Sequence, residues 1–358
     1  MNLRLASLVF AVLTFGLSIK QAEAAPAQSE THSAAVEIVS RLIAESTLPG
    51  FANWLRREDI FTNSPMRTTV LAGSVPLMSA IHYNEQAAAF INSNLIKPME
   101  LLPTKAGGNE RQAERLPAGA AVAMTAWWPI AAQGITPVPL WDDSHMLRRS
   151  GSNGYLHWGR IAVIRTNKAA PDPTSMTFAG REFDAPVIVS LDDIAHLTLD
   201  RDMTQRWNAD PSASKLSRMV LGRPLQEGDY VGLVALHLMT PSTKPDGLWT
   251  TMWWSPVDRV IGNLGHPWDM YTLDATMDAR YPLESDGGNN ICFNPWLDGG
   301  LVDSGHGNGT QSNCISCHAR AAIPARQFLT VTRGPTAPAA DSKPSAMLWS
   351  VAIDRSSP

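Results

Sequence analysis

Cys314-Ile315-Ser316-Cys317-His318 lies about forty residues before the last residue of the 358-residue chain. On one turn of a helix, positions i, i+3 and i+4 share a face, so this spacing places both thiols and the imidazole on one side. Two cysteines at this spacing, followed directly by a histidine, are typical of c-type haem attachment. The stretch predicts one covalently attached haem c, with Cys314 and Cys317 bonded to the porphyrin vinyl groups and His318 as the proximal iron ligand.

Two other interpretations of these cysteines remain open. A structural zinc site would use Cys314 and Cys317 with Cys292 and either His306 or His318, which supplies four ligands. A redox dithiol would use Cys314 and Cys317 alone, but no βαβ pattern surrounds the pair. Cys292, the third cysteine of the chain, is expected to be a buried thiol.

The first 24 residues have the three parts of a secretory signal peptide. Asn2-Leu3-Arg4 gives a basic start, residues 5–19 form an apolar run, and Ala22-Glu23-Ala24 offers small residues at a cleavage site. The apolar run is short for a membrane span. We therefore expect a periplasmic mature chain with no stable membrane insertion after signal cleavage, and haem attachment after export.

The composition limits the classes of partner. The formal charge is −4, and removal of Arg4, Lys20 and Glu23 with the signal peptide makes it −5. A mildly acidic chain with few charged residues has no electrostatic footprint for nucleic acid. The expected partners are redox proteins or a small-molecule substrate. Twelve tryptophans would fill a β-rich core or line a haem pocket.

Residues 25–117 are predicted to form a mostly helical N-terminal region. Apolar residues recur at helical spacing before Pro49-Gly50, and they are Ala35, Ile38, Val39, Leu42 and Ile43. A second short helix is expected within residues 51–58. The alanine-rich stretch 84–96 predicts another helix.

Residues 118–358 are predicted to form a β-rich body that carries the haem segment, about residues 290–358. An apolar run covers residues 121–130, a helix is expected over 191–207, residues 256–290 look rich in loops, and residues 346–353 would add a last strand or helix. Strands are expected at 155–165, 185–190, 230–239, 248–254 and 291–297, with the third and fourth of these forming a hairpin. The predicted fold class is α+β, with a short C-terminal haem-binding helix.

The sixth iron ligand would decide between an electron carrier and a catalyst. His237 lies inside an apolar strand, where an unpaired imidazole costs free energy, so it needs a hydrogen-bond partner or a metal. Met347 follows His318 by 29 residues and lies within reach if the chain loops back. His237 or Met347 is the candidate distal ligand, and Met239, on the same strand face as His237, is a weaker one. The alternatives are a hydrogen-bonded core histidine and core methionines.

The Cys314–His318 motif resembles that of c-type cytochromes. The resemblance implies thioether bonds at Cys314 and Cys317 and iron ligation by His318. The motif lies late in the chain after a β-rich body, which is similar to cytochrome P460 and its β-sheet relatives, although no local motif identifies their catalytic lysine here. The longer segment 294–314 resembles exported bacterial cytochrome-like proteins of undescribed function.

These observations lead to one expected function and two alternatives. The first is an exported monohaem c-type cytochrome that transfers single electrons between redox partners. The second is a haem enzyme with an open distal site that acts on a small molecule such as peroxide or a nitrogen oxide. The third is a zinc-stabilised binding protein without redox activity.

Overall fold

The described part of the chain has a mixed α+β fold with a β-rich body, which confirms the predicted α+β class, while the haem-binding role of the C-terminal helix stays a prediction. This computed structural model describes residues 30–44, 54–56, 77–96, 115–141, 158–167, 172–242, 247–257, 264–277, 292–298, 314–318, 322–323 and 343–344. The helices are α1 (Glu30–Ala44), α2 (Glu85–Phe90, continued by a π-helix over Ile91–Ile96), α3 (Arg201–Ala209), α4 (Pro211–Leu221) and α5 (Cys314–His318). The strands are β1 (Leu55–Arg56), β2 (Met78–Tyr83), β3 (Val122–Ile130), β4 (Ile135–Leu140), β5 (Arg160–Arg165), β6 (Ser175–Phe178), β7 (Arg181–Asp184), β8 (Val187–Ser190), β9 (His196–Thr198), β10 (Tyr230–Thr240), β11 (Leu248–Trp254), β12 (Tyr271–Thr276), β13 (Ala322–Ile323) and β14 (Lys343–Pro344).

The central sheet is built around β10, the eleven-residue strand whose apolar sequence suits burial on both faces. Its strand order is β1-β2-β3-β10-β11-β12, with every pair antiparallel. Strand β9 pairs with the first three residues of β10, which β11 does not reach. The hairpin of β10 and β11 closes at Gly247, whose φ of +80° and approach to the Thr240 carbonyl favour glycine. The predicted hairpin is therefore confirmed.

The tyrosine at the start of β12 ties three segments of the core together. Tyr271 is buried, and its hydroxyl donates to the Leu233 carbonyl at 2.7 Å. The same oxygen accepts from the Ala195 N–H at 3.1 Å. Burial raises the pKa of Tyr271 far above its usual range, despite the opposing effect of this N–H donor. The phenol therefore stays neutral and serves as a structural link.

Smaller sheets and two capped helices complete the body. Strand β5 pairs antiparallel with β4 and parallel with β8, while β6 pairs with β7 and β13 with β14. Asp200 caps α3 by accepting from the Met203 N–H, and Asp210 caps α4, which ends at Gly222 in the left-handed conformation. Helices α1 and α4 both pack on the central sheet. None of the described helices combines the length and apolar character needed to cross a bilayer.

Several predicted elements agree with the structure. Helix α1 matches the predicted apolar spacing, and α2 with its π-helical extension occupies the alanine-rich stretch. Strands β5 and β8 lie within the predicted ranges 155–165 and 185–190. Residues 155–157 and 346–353 lie outside the described residues.

The helix predicted over 191–207 is wrong in its first half. The Ser190 side chain caps a single 3₁₀ turn over Leu191–Asp193, after which β9 extends along β10. The helix begins only at Arg201, because Asp200 supplies the cap. The Asp193 side chain therefore closes a capping box with Ser190, and the predicted long helix does not begin there.

Three further predictions are corrected by the structure. The short helix predicted within 51–58 is wrong where the chain is described, because Leu55–Arg56 pairs with β2 at the sheet edge. The strand predicted over 291–297 is also wrong, because residues 292–298 form a turn held by side-chain hydrogen bonds. The predicted loop region 256–290 contains β12.

Candidate functional site

A buried row of four side chains crosses the central sheet and forms the floor of the candidate site. Tyr83, Val122, Met239 and Trp249 lie opposite one another in β2, β3, β10 and β11. Directly opposed residues of antiparallel strands point to the same face, so these four side chains form one continuous surface. All four are buried. We call them the buried row.

The sequence next to this row fixes its position. Asn84 follows Tyr83 directly and caps α2 by accepting from the Ala87 N–H at 3.0 Å. The Asn84 carboxamide also accepts from the Ala121 N–H and donates to the Gly119 carbonyl. One side chain therefore fastens the end of β2 and the start of α2 to the chain entering β3. Ala87, Ala88 and Ile91 of this helical segment join the same apolar cluster as the buried row.

Helix α5, the turn predicted to attach haem, packs on the buried row. Cys314 and Ile315 are buried and belong to the same apolar cluster as Met239 and Trp249. The imidazole of His318 is partly exposed, and its ring centroid lies 4.2 Å from that of Trp249 at an interplanar angle of 49°. Cys317 lies within α5, but its side chain is outside the described part of the structure. Helix α5 thus places Cys314 and His318 next to the central sheet.

Helix α5 forms one wall of the site, and a turn over residues 292–298 forms the second. Asn294 holds this turn in place. Asn294 is fully buried, and its amide donates to Thr251 Oγ1 at 2.7 Å and to the Met252 carbonyl at 2.9 Å. Its side-chain oxygen accepts from the backbone N–H groups of Trp296 and Leu297. Every hydrogen-bonding group of the carboxamide is therefore used to fold this turn and attach it to β11.

A row of polar residues lies on the same sheet face, two positions along each strand from the buried row. His237, Thr251 and Asp274 are opposed in β10, β11 and β12, and we call them the polar row. Asp274 accepts from the Phe293 N–H at 3.3 Å. Asp298, on the turn above, accepts from the Asn294 N–H at 2.8 Å, and its carboxylate lies 3.4 Å from His237 Nε2.

The two aspartates and His237 form the polar part of the site. The 3.4 Å contact lies within ion-pair range, but His237 Nε2 has no aligned hydrogen-bond partner among the described residues. Burial raises the pKa of Asp274 to about 6, opposed by its two backbone hydrogen bonds and reinforced by the charge of Asp298. Asp274 can therefore hold and release a proton close to pH 6.

The raised pKa of Asp274 makes a stability prediction with a definite sign. The native protein holds this proton more tightly than the unfolded chain, so the free energy of unfolding should fall as pH rises from about 4 to about 6. The contribution should be at most about 3 kcal/mol and level off above pH 6. Urea unfolding of the wild type and of Asp274→Asn is measured at several pH values in this range. The difference between their free energies of unfolding gives the contribution of Asp274. Parallel pH profiles for the two proteins would show that Asp274 has an ordinary pKa.

The sulfurs of Cys292 and Cys314 lie next to each other. Cys292 is at the start of the turn over residues 292–298, and Cys314 is at the start of helix α5. Their sulfurs are 2.8 Å apart, and Cys292 also contacts the Trp249 carbonyl. Burial, followed by the hydrogen bond to Cys314, raises the pKa of Cys292 well above its usual value. The hydrogen bond to Cys292 lowers the pKa of Cys314, but burial and the charges of Asp298 and Asp274 raise it overall. Both groups are therefore protonated thiols at neutral pH.

The donor set of this site has the chemistry that a c-type haem requires. Cys314 and His318 occupy the first and last positions of α5, one helical turn apart, beside a buried apolar cluster. In the structure, Cys314 contacts Cys292 and His318 contacts Trp249. A haem bound to α5 would therefore replace the contact of Cys314 with Cys292 and that of His318 with Trp249.

The remaining predicted ligands are placed as follows. His237 lies in the polar row beside Asp298, and Met239 lies in the buried row beside Trp249. Met347 and His306 lie outside the described residues. In the ranges that the structure describes, no three His, Cys, Asp or Glu side chains are grouped so that they could hold a metal ion.

Sequence reasoning missed Asn294, Asp274 and Asp298 as site residues. Asp274 sits in a stretch that alternates apolar and polar residues, so a strand with a polar face was readable there. Asn294 precedes a proline, which is typical of a turn, but its burial depends on contacts with β11. Comparison of the chain with protein-family models, curated proteins and solved structures found no match.

Proposed function

We propose that this protein is an exported monohaem c-type cytochrome that transfers single electrons between redox partners in the periplasm. The observation that carries the proposal is the packing of the Cys314–His318 turn on the buried row. Thioether bonds at Cys314 and Cys317 and iron ligation by His318 would hold the haem, whose iron accepts and releases one electron. The zinc alternative would require Cys292 and Cys314 to share the metal.

The protein body has two roles in this proposal. Met239 and Trp249 line the floor of the site with apolar surface and limit the access of water, which favours the less charged oxidation state of a bound haem. The sheet supports this floor with continuous strand pairing from β2 to β12. A rigid, dry floor changes little when an electron arrives, and this suits electron transfer. The partial exposure of His318 places the turn near the surface, where a redox partner has access.

A second candidate is a haem enzyme with an open distal site that acts on peroxide or a nitrogen oxide. One observation favours it. His237, Asp274 and Asp298 place groups able to exchange protons on the same sheet face as the buried row. Reduction of peroxide or a nitrogen oxide consumes protons, and positioned acids supply them.

Carbon monoxide separates the two candidates. The reduced protein is expected to keep its absorption spectrum when carbon monoxide is added, because a protein ligand occupies the sixth position of the iron in an electron carrier. A shift of the main absorption band on addition of the gas would instead favour the enzyme. A cytochrome c with a protein ligand on both sides of its iron and a globin with an open site serve as the unreactive and reactive reference proteins.

The distal ligand is tested by replacing each candidate. We propose His237 or Met347 as this ligand, so either His237→Ala or Met347→Ala is expected to produce a high-spin iron that binds carbon monoxide. Met239→Ala tests the weaker candidate on the same face of β10, and Asn208→Ala, whose side chain bonds with Leu225, serves as the control. Absorption and electron paramagnetic resonance spectra report the spin state. Unchanged spectra in both variants would show that neither residue binds the iron.

A further inference from the structure

We propose that Cys292 and Cys314 form a disulfide bond in the haem-free protein, and that this bond competes with haem attachment at Cys314. The disulfide concerns the two cysteines alone. Its competition with haem attachment rests on the proposed function. Together they assign a modification site to the one cysteine that lies outside the haem motif.

The geometry already brings the two sulfurs close to bonding distance. They are 2.8 Å apart, and a disulfide has a bond length of about 2.05 Å, so a movement of less than about 1 Å joins them. Cys314 Sγ also lies 3.5 Å from the Cys292 carbonyl, which brings the backbone of one residue next to the side chain of the other.

Neighbouring contacts hold both cysteines in place. The residue after Cys292 donates its N–H to Asp274, and Asn294 fastens the rest of the turn to β11. On the other side, Cys314 and Ile315 pack into the apolar cluster of the buried row. A bond between segments that already meet adds little strain and restricts the unfolded chain over the 22 positions that separate the two residues.

The bond would form by thiol–disulfide exchange with an oxidising disulfide, either a small molecule or a protein. Cys314 is 7% exposed and Cys292 is fully buried, so Cys314 is the residue that meets the oxidant. Its thiolate, after loss of the proton to water, attacks one oxidant sulfur and releases the other as a thiolate. Cys292 then loses its proton and attacks the sulfur of Cys314, which releases the second oxidant thiolate. In total, the two protein thiols lose two electrons and two protons, and the oxidising disulfide gains them to become two thiols.

The same sulfur cannot carry both bonds. While Cys314 is bonded to Cys292, only Cys317 of the motif can react with a porphyrin vinyl group. A reductant that opens the bond returns Cys314 to the thiol form and makes two thioether bonds possible. Cys292 therefore controls how many attachment points the motif offers.

Peptide mapping without reduction tests the disulfide directly. The full-length chain is expressed in a strain that exports proteins and attaches haem, and its haem-free and haem-containing fractions are separated. Free thiols are alkylated in denaturant, and the digested peptides are identified by mass. We expect Cys292 and Cys314 in one linked peptide pair in the haem-free fraction and no such pair in chains that carry haem through two thioether bonds. Alkylation of both residues in the haem-free fraction, or a link from Cys314 to Cys317, would overturn the proposal.

Two variants extend the test. Cys317→Ala should retain the link between Cys292 and Cys314, because that residue takes no part in it. Cys292→Ala should increase the fraction of chains with two thioether bonds at least twofold, and an unchanged or smaller fraction would contradict the competition. A linked pair in protein that never acquires haem would support the disulfide and refute the proposed function. Haem bound through two thioethers, with Cys292 and Cys314 both alkylated in the haem-free fraction, would support the proposed function and refute the disulfide.

Discussion

Replacing Cys314 and Cys317 together with alanine is expected to remove all covalently bound haem from the purified protein. Each thioether bond needs one of these sulfurs, and the chain has only one other cysteine, Cys292. A haem that remains would be held by His318 and the apolar walls alone, so acidic organic solvent should extract it. The measurement is haem-linked peroxidase staining after denaturing electrophoresis, which detects covalent haem only.

Two further variants on the same turn serve as controls. Ser316→Ala leaves every proposed haem bond intact, so its stain should equal that of the wild type. His318→Ala should keep the thioether bonds but lose the proximal ligand, which makes the iron high-spin. A double cysteine variant that stains as strongly as the wild type would show that the haem is attached elsewhere or that the stain has another source.

Asn294→Ala is expected to lower the free energy of unfolding by about 3 kcal/mol, because it leaves several buried groups without hydrogen bonds. The amide donors to Thr251 and Met252 are lost, and two backbone N–H groups of the turn lose their acceptor. The same change should loosen the turn that carries Cys292. Urea unfolding measures the stability, and the rate of thiol alkylation in native protein measures the exposure of the cysteines.

Asn208→Ala provides a matched control away from the site. Asn208 also makes two hydrogen bonds with backbone groups, both of Leu225, but it is only partly buried, so water can replace them. We expect a loss of about 1 kcal/mol and an unchanged rate of thiol alkylation. Equal losses in the two variants would mean that Asn294 has no special role in placing the turn.

Much of the central sheet could be predicted from local sequence. The apolar run of β10 and the turn residues before β11 predict a hairpin, because strand period and turn chemistry act over a few neighbouring residues. Strand β12 was missed although Tyr271, Leu273 and Ala275 alternate with polar residues, because it is short and loop-like sequence surrounds it. The helix start at Arg201 was missed for a different reason. Ser190 and Asp200 are both plausible caps, and only the pairing of β9 with β10 decides between them.

The candidate site could also be predicted from local sequence only in part. The haem motif is readable because Cys314, Cys317 and His318 fall within one helical turn. The floor of the site is not readable, because Tyr83, Met239 and Trp249 become neighbours only through the register of separate strands. A shift of one residue in any of these pairings would turn that side chain to the other face. The contact between Cys292 and Cys314 likewise depends on the hydrogen bonds that fold the turn at Asn294.

The mass and the pyridine haemochrome spectrum of the mature protein, taken together on one sample, decide whether the chain carries one covalently attached haem. The chain should be expressed in a strain that matures c-type cytochromes and purified after export. We expect a mass that exceeds the processed polypeptide by one haem, and a haemochrome spectrum typical of a porphyrin with both vinyl groups saturated. A colourless protein with the mass of the bare polypeptide would refute the proposed function.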